Sequence, residues 1–352
     1  MDEFTAETCL ALYRLARLIR RTEEILVEEY TAGQQMRCPM HFCIGQEAAP
    51  TALSSFLRTG DHMVSHYRSH GWYLAKGAPL AAMIAEFYGK ATGDNGGVAG
   101  SMELAHHASR FHSGAIVGGP LGIAMGMAFS VKYQSGREIA VAAIGDGSLD
   151  EGVSYEALNF AALHGLPLLT ICENNLYAAH TPTEKRTLAR SLVERVRPFG
   201  MRTAVLDGTD IAKLHARLGP IVRDVRSGAG PCFVEVETYR YCGHVGPEND
   251  DWLEYRSPSE IAAWRERDPL VTLRAQARRF GVTKKTLLAL EDEIEKEIAS
   301  AIASAKSDPF PAPAWAAKQV WSNRYSPLVR EFTSGRVAAF AGGQNETKLK
   351  PY

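Results

Sequence analysis

The sequence lacks several things. Its 352 residues hold only six cysteines, at positions 9, 38, 43, 172, 232 and 242, with no C-x-x-C pair among them. That leaves no disulfide framework or zinc-ribbon spacing and points to a reducing compartment. Neither sign of charge dominates: 39 basic residues face 40 acidic ones, a net charge of −1. There is no basic stripe with interleaved aromatics, so nucleic acid is not an expected partner. The opening MDEFTAETCL is acidic and has no basic region leading into an apolar one. A signal peptide is therefore not expected, and the cytoplasm is the expected location. Long apolar runs are also missing. The nearest is IVGGPLGIAMGMAFSV at 116–131, sixteen residues with four glycines and a proline. A membrane span needs roughly 20 apolar residues, so a buried helix is expected and a membrane association is not. No internal repeat is present.

Helix signals open and close the chain. Residues 5–32 read as an amphipathic helix with Arg20, Arg21, Glu23 and Glu24 on its wet face. GQEAAPTALSSFL reads as a short helix opening near Gln46, and 79–89 as another. DHMVSHYRSHGWYLAKG is polar and histidine-rich and reads as loop more than element. YGKATGDNGGVAGSM is a glycine-rich loop.

From Pro120 the pattern alternates. A helix runs from Pro120 to its stop at Gly136, with Gly118, Gly122 and Gly126 lining one bare face suited to close packing. Strand 138–144, helix 149–164, strand 168–172, strand 203–206, helix 210–226 and strand 232–238 follow. Ser148 and Glu151 have the spacing of a capping box, and Gly165 with Pro167 ends that helix. Strand–helix–strand alternation gives an α/β fold, a mostly parallel sheet with helices on both faces. Residues 258–307 read as charged helix. The proline-, alanine- and glycine-rich remainder reads as an extended arm, so the expected division is a domain at 1–307 and an arm at 308–352.

Asp146 stands between two glycines where a buried strand runs into a helix. In a parallel sheet ligands gather at the carboxyl ends of strands. The next strand ends in Glu173, Asn174 and Asn175, on the same edge if the crossover is right-handed. One carboxylate and one or two amide oxygens are hard ligands, few in number, and suit Mg²⁺ completed by phosphate oxygens and water. Gly145 and Gly147 let phosphates approach the backbone. Each half alone reads as an ordinary tight turn. G-D-G, twenty-six residues, then N-N is far more specific.

That spacing resembles the thiamine diphosphate fingerprint. HFCIGQEA (41–48), SHYRSHG (65–71), GGVAGSMELA (96–105), IVGGPLGIAMG (116–126), ICENNLYA (171–178), YRYCGHVG (239–246) and YRSPSEIAAWRERDPL (255–270) narrow it. Together they resemble the alpha subunit of the first, decarboxylating component of 2-oxo acid dehydrogenases, pyruvate and acetoin types included, over about residues 10–305. The resemblance implies that Asp146, the side chain of Asn175 and the carbonyl of Tyr177 hold Mg²⁺. It implies that Gly145, Gly147 and Ser148 contact the diphosphate, that Tyr67 and Arg68 reach it, and that Ile116 and Val117 line the thiazolium end. His244 matches the second histidine of the family's H-G-H loop and is the expected catalytic imidazole. Cys242 replaces the first.

His112, just before the cofactor-lining segment, is a further catalytic candidate. His66 and His70 are read as ordering their loop, and His41 as structural. Where mammalian pyruvate members carry a regulatory serine after the histidine, this chain has Val245, then the acidic run Glu248, Asp250, Asp251. The loop 240–256, with Gly243, Gly246 and Pro247, is expected to be mobile until cofactor orders it.

The implied reaction is decarboxylation of a 2-oxo acid and transfer of the acyl unit to a lipoyl acyltransferase. An acyloin-forming or transketolase-like carboligase is the alternative. From other classes come a non-catalytic phosphate-binding module and a scaffold subunit with a vestigial site. The family's pyrimidine-binding domain has no room here, because residues 1–120 read as helices and loops. The resemblance therefore implies a beta subunit carrying that domain, in an α₂β₂ assembly.

Overall fold

The computed structural model describes residues 4–33, 36 and 38–316. Residues up to Phe310 form one compact unit, and a second begins at Pro311 with a single turn, α11 (Pro313–Ala316). The expected arm lies, from residue 317 on, outside the described residues.

Seven strands form the main sheet: β1 (His62–His66), β2 (Ala105–His106), β3 (Phe111–Gly114), β4 (Ala140–Gly145), β5 (Leu168–Asn174), β8 (Arg202–Asp207) and β9 (Cys232–Glu237). A small hairpin, β6 (Tyr177–Ala178) with β7 (Thr181–Pro182), stands apart. The order is β2-β3-β1-β4-β5-β9-β8, and all neighbours are parallel except the antiparallel edge pair β2–β3.

Side-chain alternation along β4 divides the core. Val141 and Ala143 join the larger apolar cluster, while Ala140, Ala142 and Ile144 join the smaller one on the opposite face. The larger cluster takes side chains from α1 (Ala6–Gly33), α2 (Ala48–Ser54), α3 (His70–Ala75), α4 (Leu80–Phe87), α7 (Ile211–Arg226), α9 (Pro269–Gln276) and α10 (Lys284–Ser307). The smaller takes them from α5 (Gly119–Tyr133) and α6 (Gly152–Leu163). Both faces are covered, as an all-but-parallel sheet requires. Helix α8 (Pro258–Glu266), capped by Ser257 Oγ accepting from Glu260 N at 3.1 Å, packs through Ile261 and Trp264 on a tyrosine cluster of Tyr177, Tyr239 and Tyr241.

Three expectations are corrected. The upstream region is not helices and loops alone, because β1, β2 and β3 lie there. DHMVSHYRSHG contains β1, a central strand between β3 and β4 with residues 63–66 buried. Its polar residues broke the apolar pattern. The capping box does not form: α6 begins at Gly152 behind Glu151, with no side-chain cap, and Asp146–Asp150 wind as a 3₁₀ turn. The helical stretch at 258–307 is broken into α8, α9, a 3₁₀ turn and α10.

Candidate active site

The carboxyl ends of β1, β4 and β5 open on a cleft of about 350 Å³. Tyr67, Arg68, Val117, Gly145, Asp146, Gly147, Ser148, Asn175, Tyr177 and His244 all line it. So of twelve expected site residues, ten converge. Ile116 is 75% exposed and His112 sits within β3 beside Val64; neither lines the cleft.

Strand β4 delivers Asp146. Gly145 is its last residue, and a Cβ there would meet open space on the cleft side; a Cβ on Gly147 would come within 3.0 Å of Ala178 Cβ. The first glycine leaves room for a ligand and the second admits the Ala178 side chain of β6. Asp146 is buried. Its Oδ2 accepts from the Arg186 guanidinium and from Thr183 Oγ1 at 3.1 Å. Burial raises the Asp146 carboxyl above the usual range, and the Arg186 cation pulls against it. Arg186 also binds Asp150, which Arg195 Nη1 reaches at 2.9 Å.

Strand β5 delivers Asn175, and the next residue shapes the turn. Leu176 has φ 73°, in the left-handed region, which costs a bulky residue energy and bends the chain sharply. Through this bend Tyr177 N donates to Asn175 Oδ1 at 3.2 Å. Asn175 Nδ2 donates to Gln46 Oε1 at 3.1 Å, so Gln46, from the segment leading into α2, fixes which way the amide faces. The Tyr177 hydroxyl is held at 2.9 Å by both oxygens of the Glu260 carboxylate.

These donors fit a hard divalent cation. The Asp146 carboxylate, Asn175 Oδ1 and the Tyr177 carbonyl are all oxygen, and Asp146 already holds a cationic group in Arg186. Gly145 supplies the adjacent open backbone.

The other end of the cleft is made of rings. His244 lies 5.2 Å from His41 and 6.0 Å from Tyr67 between ring centroids, and His180 is 6.2 Å away. Burial, then the Arg68 and Arg240 cations, lower His244 to about 4. Burial and Arg68 lower His41 to about 2. Both rings are neutral near pH 7 and can act as proton acceptors. Arg68 is buried and donates to the carbonyls of Phe42 at 2.6 Å and His244 at 2.9 Å. Asp250 accepts from His244 N at 2.6 Å and lies 3.3 Å from His180 Nε2. Its loop is tied further by Gly243 N to Glu248 O at 2.7 Å and Gly246 N to Met40 O at 2.8 Å. Cys242 is buried, its thiol pushed up to about 11 by burial.

Sequence reasoning missed four residues here. His41, read as structural, lies tilted 4.5 Å from Tyr67 and edge-on to His244; its place in the H-x-x-x-G-Q-E-A block was the available signal. Gln46 was in the same block. Arg186 carried no signal, since it acts on a residue distant in the chain, and Arg240 stands in the YRYCGHVG block but was not singled out there.

A family model for the dehydrogenase E1 component matches residues 14–314. Among curated relatives, the pyruvate dehydrogenase E1 component subunit alpha of Rickettsia conorii is 34% identical over 310 residues, covering 87% of this chain and 94% of the relative. The protein of the same name from Zymomonas mobilis is 35% identical over 309 residues, covering 87% and 86%. The alpha subunit of the acetoin:2,6-dichlorophenolindophenol oxidoreductase of Cupriavidus necator is 34% identical over 315 residues, covering 87% and 92%. With the cleft at the expected sheet edge and the match running through nearly every element that builds it, the chain belongs to the dehydrogenase E1 component family, on its alpha-subunit side.

Proposed function

We infer that this chain is the alpha subunit of a thiamine diphosphate- and Mg²⁺-dependent enzyme that decarboxylates a 2-oxo acid oxidatively, of the pyruvate or acetoin type. The observation that carries this reading is that Asp146, Asn175 and Tyr177 line one cleft around the Leu176 bend, beside the open backbone of Gly145. When bound, thiamine diphosphate supplies the electron sink that decarboxylation needs.

This chain's own residues divide the remaining work. Asp146, Asn175 and Tyr177 would hold the cation, and Gln46 aims the Asn175 amide. Gly145, Gly147 and Ser148 would face the diphosphate, with Tyr67 and Arg68 across the cleft. Val117 and Ile116, outside the oxygen-lined end, would meet the cofactor's ring. His244, neutral and backed by Asp250 through its amide, would accept or return a proton at the substrate.

Subunits of this type work with a beta subunit. An α₂β₂ assembly, and delivery of the acyl unit to a lipoyl acyltransferase, are our further reading. What supports the partner is an open face: Ile116, Val117, Ile123 and Val153 are 39–75% exposed, and a Cβ on Gly126 would meet nothing within 4 Å. His112, outside the cleft, is proposed only as a neighbour of the Ile116–Val117 segment. None of the described helices is long and apolar enough to cross a membrane. All six cysteines are free, which supports a cytoplasmic location.

The test is co-expression with the product of the neighbouring gene, then titration with thiamine diphosphate and Mg²⁺ and an assay of several 2-oxo acids with an artificial electron acceptor. The pair is expected to bind cofactor and turn over, and the isolated chain to be inactive. Turnover by the isolated chain, shown free of partner by mass spectrometry, would contradict the partner reading. Absence of cofactor binding by the pair would contradict the whole.

A further inference from the structure

A buried hydrogen-bond chain runs from β5 to the first turn after β1. Glu173 on β5 is almost fully buried. Its Oε2 accepts from Trp72 Nε1 at 2.9 Å and lies 2.8 Å from His66 Nε2. On the other side of the imidazole, Nδ1 lies 3.0 Å from the backbone nitrogen of Arg68. A backbone N–H can only donate, so Nδ1 accepts and the ring carries its proton on Nε2, aimed at the carboxylate. Both nitrogens are spent, although the ring lines the cleft. To move a proton to or from a substrate, His66 would first have to release Glu173 or Arg68.

We propose that His66 is a positioning residue: anchored by Glu173, it accepts the Arg68 amide through Nδ1 and so fixes the turn that presents Tyr67 and Arg68 to the cofactor. The proposal rests on the cofactor reading above.

The local geometry explains why a histidine is apt. Strand β1 ends at His66, and the chain must leave the sheet within two residues. A side-chain acceptor for the N–H two residues on is how Asn and Asp make an Asx turn. Imidazole does the same with one nitrogen and has a second, on the far side of a rigid ring, to reach β5. An Asx turn alone would leave the turn free to rock, whereas here it is pinned to a neighbour 107 residues away in sequence. Downstream, Arg68 donates to the Phe42 and His244 carbonyls, so the pin bears on the backbone of the catalytic-loop histidine as well.

Two near-isosteric variants separate the two links. His66→Asn keeps an acceptor near Nδ1 and loses the reach to Glu173. His66→Gln keeps a donor near Nε2 and loses the acceptor. Each is made in the full chain co-expressed with its partner subunit. Thiamine diphosphate is titrated with Mg²⁺ by quenching of tryptophan fluorescence, with thermal unfolding followed alongside. His66→Gln is expected to weaken cofactor affinity about tenfold, the scale of a lost outer-layer contact. His66→Asn, which keeps the turn but loses its pin to Glu173, is expected to weaken it by a smaller factor, about threefold.

If Gln does not assemble, His66→Ala against His66→Asn gives the same contrast. The reverse order, or equal losses that follow the unfolding temperature, would overturn the proposal. Wild-type enzyme that binds no cofactor would remove the cofactor reading and this proposal with it. Wild-type binding matched by His66→Gln removes the proposal alone.

Discussion

The two ends of the cleft are built on opposite electrostatic terms. At one end Asp146 and Asp150 face Arg186 and Arg195 in a tight charged group. At the other, His244 and His41 are stripped of charge by burial and by Arg68 and Arg240, and lie among aromatic rings. Under the proposed function, one end would hold a cation and an anion together. The other keeps a proton acceptor free of its proton. A cofactor with a diphosphate tail and a reactive ring would need both ends at once.

Four experiments break or sharpen that contrast. The largest effect is expected at the charged end. Asp146→Ala removes the one carboxylate of the proposed ligand set. Affinity for thiamine diphosphate with Mg²⁺ should fall at least ~100-fold by calorimetry, above the usual outer-layer loss, while circular dichroism stays native. Unchanged binding would show that the cation sits elsewhere.

At the ring end, His244→Ala should lower turnover about 100-fold while cofactor affinity changes little, because general acid–base groups act on the reaction barrier. A loss confined to affinity would move His244 to the binding side of the division.

A smaller effect tests the charged end from the other direction. The Arg186 guanidinium and a divalent cation claim the same carboxylate. Arg186→Gln should therefore tighten Mn²⁺ binding in the presence of thiamine diphosphate by about tenfold, read by electron paramagnetic resonance. It should also lower the unfolding temperature, since Asp146 and Asp150 lose a buried partner. Weaker Mn²⁺ binding would make Arg186 part of the cofactor's own cradle.

The smallest effect is in pH. His244 and His41 are depressed from 6.5 to about 4 and about 2. Between those values and 6.5 the unfolded chain binds more protons than the folded one, so stability rises with pH. The two rings' contribution is therefore present above about pH 6.5 and is lost as pH falls through about 4 for His244 and about 2 for His41. His244→Gln should flatten part of that slope in denaturant titrations from pH 7 to 4.5. An unchanged slope would place the ring in solvent.

How much of this was legible follows the same division. The charged end is written locally. G-D-G and N-N are turn chemistry at strand ends, and turn residues announce themselves within a few positions. Arg186, which completes that end, reaches back 40 residues and left no trace. Strand β1 was illegible for a related reason. A strand whose residues include Ser65 and His66 reads as polar, and only Glu173, far along the chain, makes burying His66 affordable. Asp61 just before it is likewise buried, against Arg226 at 2.7 Å. The downstream sheet was readable because Ile139–Ile144 and Leu168–Cys172 are apolar on both faces but for Thr170, which a covered parallel strand demands. The capping box failed because Asp146–Asp150 wind into the cleft first, so the helix starts a turn late.

Leu176 carries a consequence of a different kind. Its left-handed backbone is held in place by its own side chain, which packs against the Tyr177–Tyr239–Tyr241 cluster under helix α8. Leu176→Gly would relieve the backbone and remove that anchor in one step. The gain in local comfort and the loss of aim at Asn175 and Tyr177 come from the same atoms. Relief of the backbone and loss of the packed side chain oppose each other in the unfolding temperature, so a library selected on melting temperature alone would be blind to this position's aim at the proposed metal ligands.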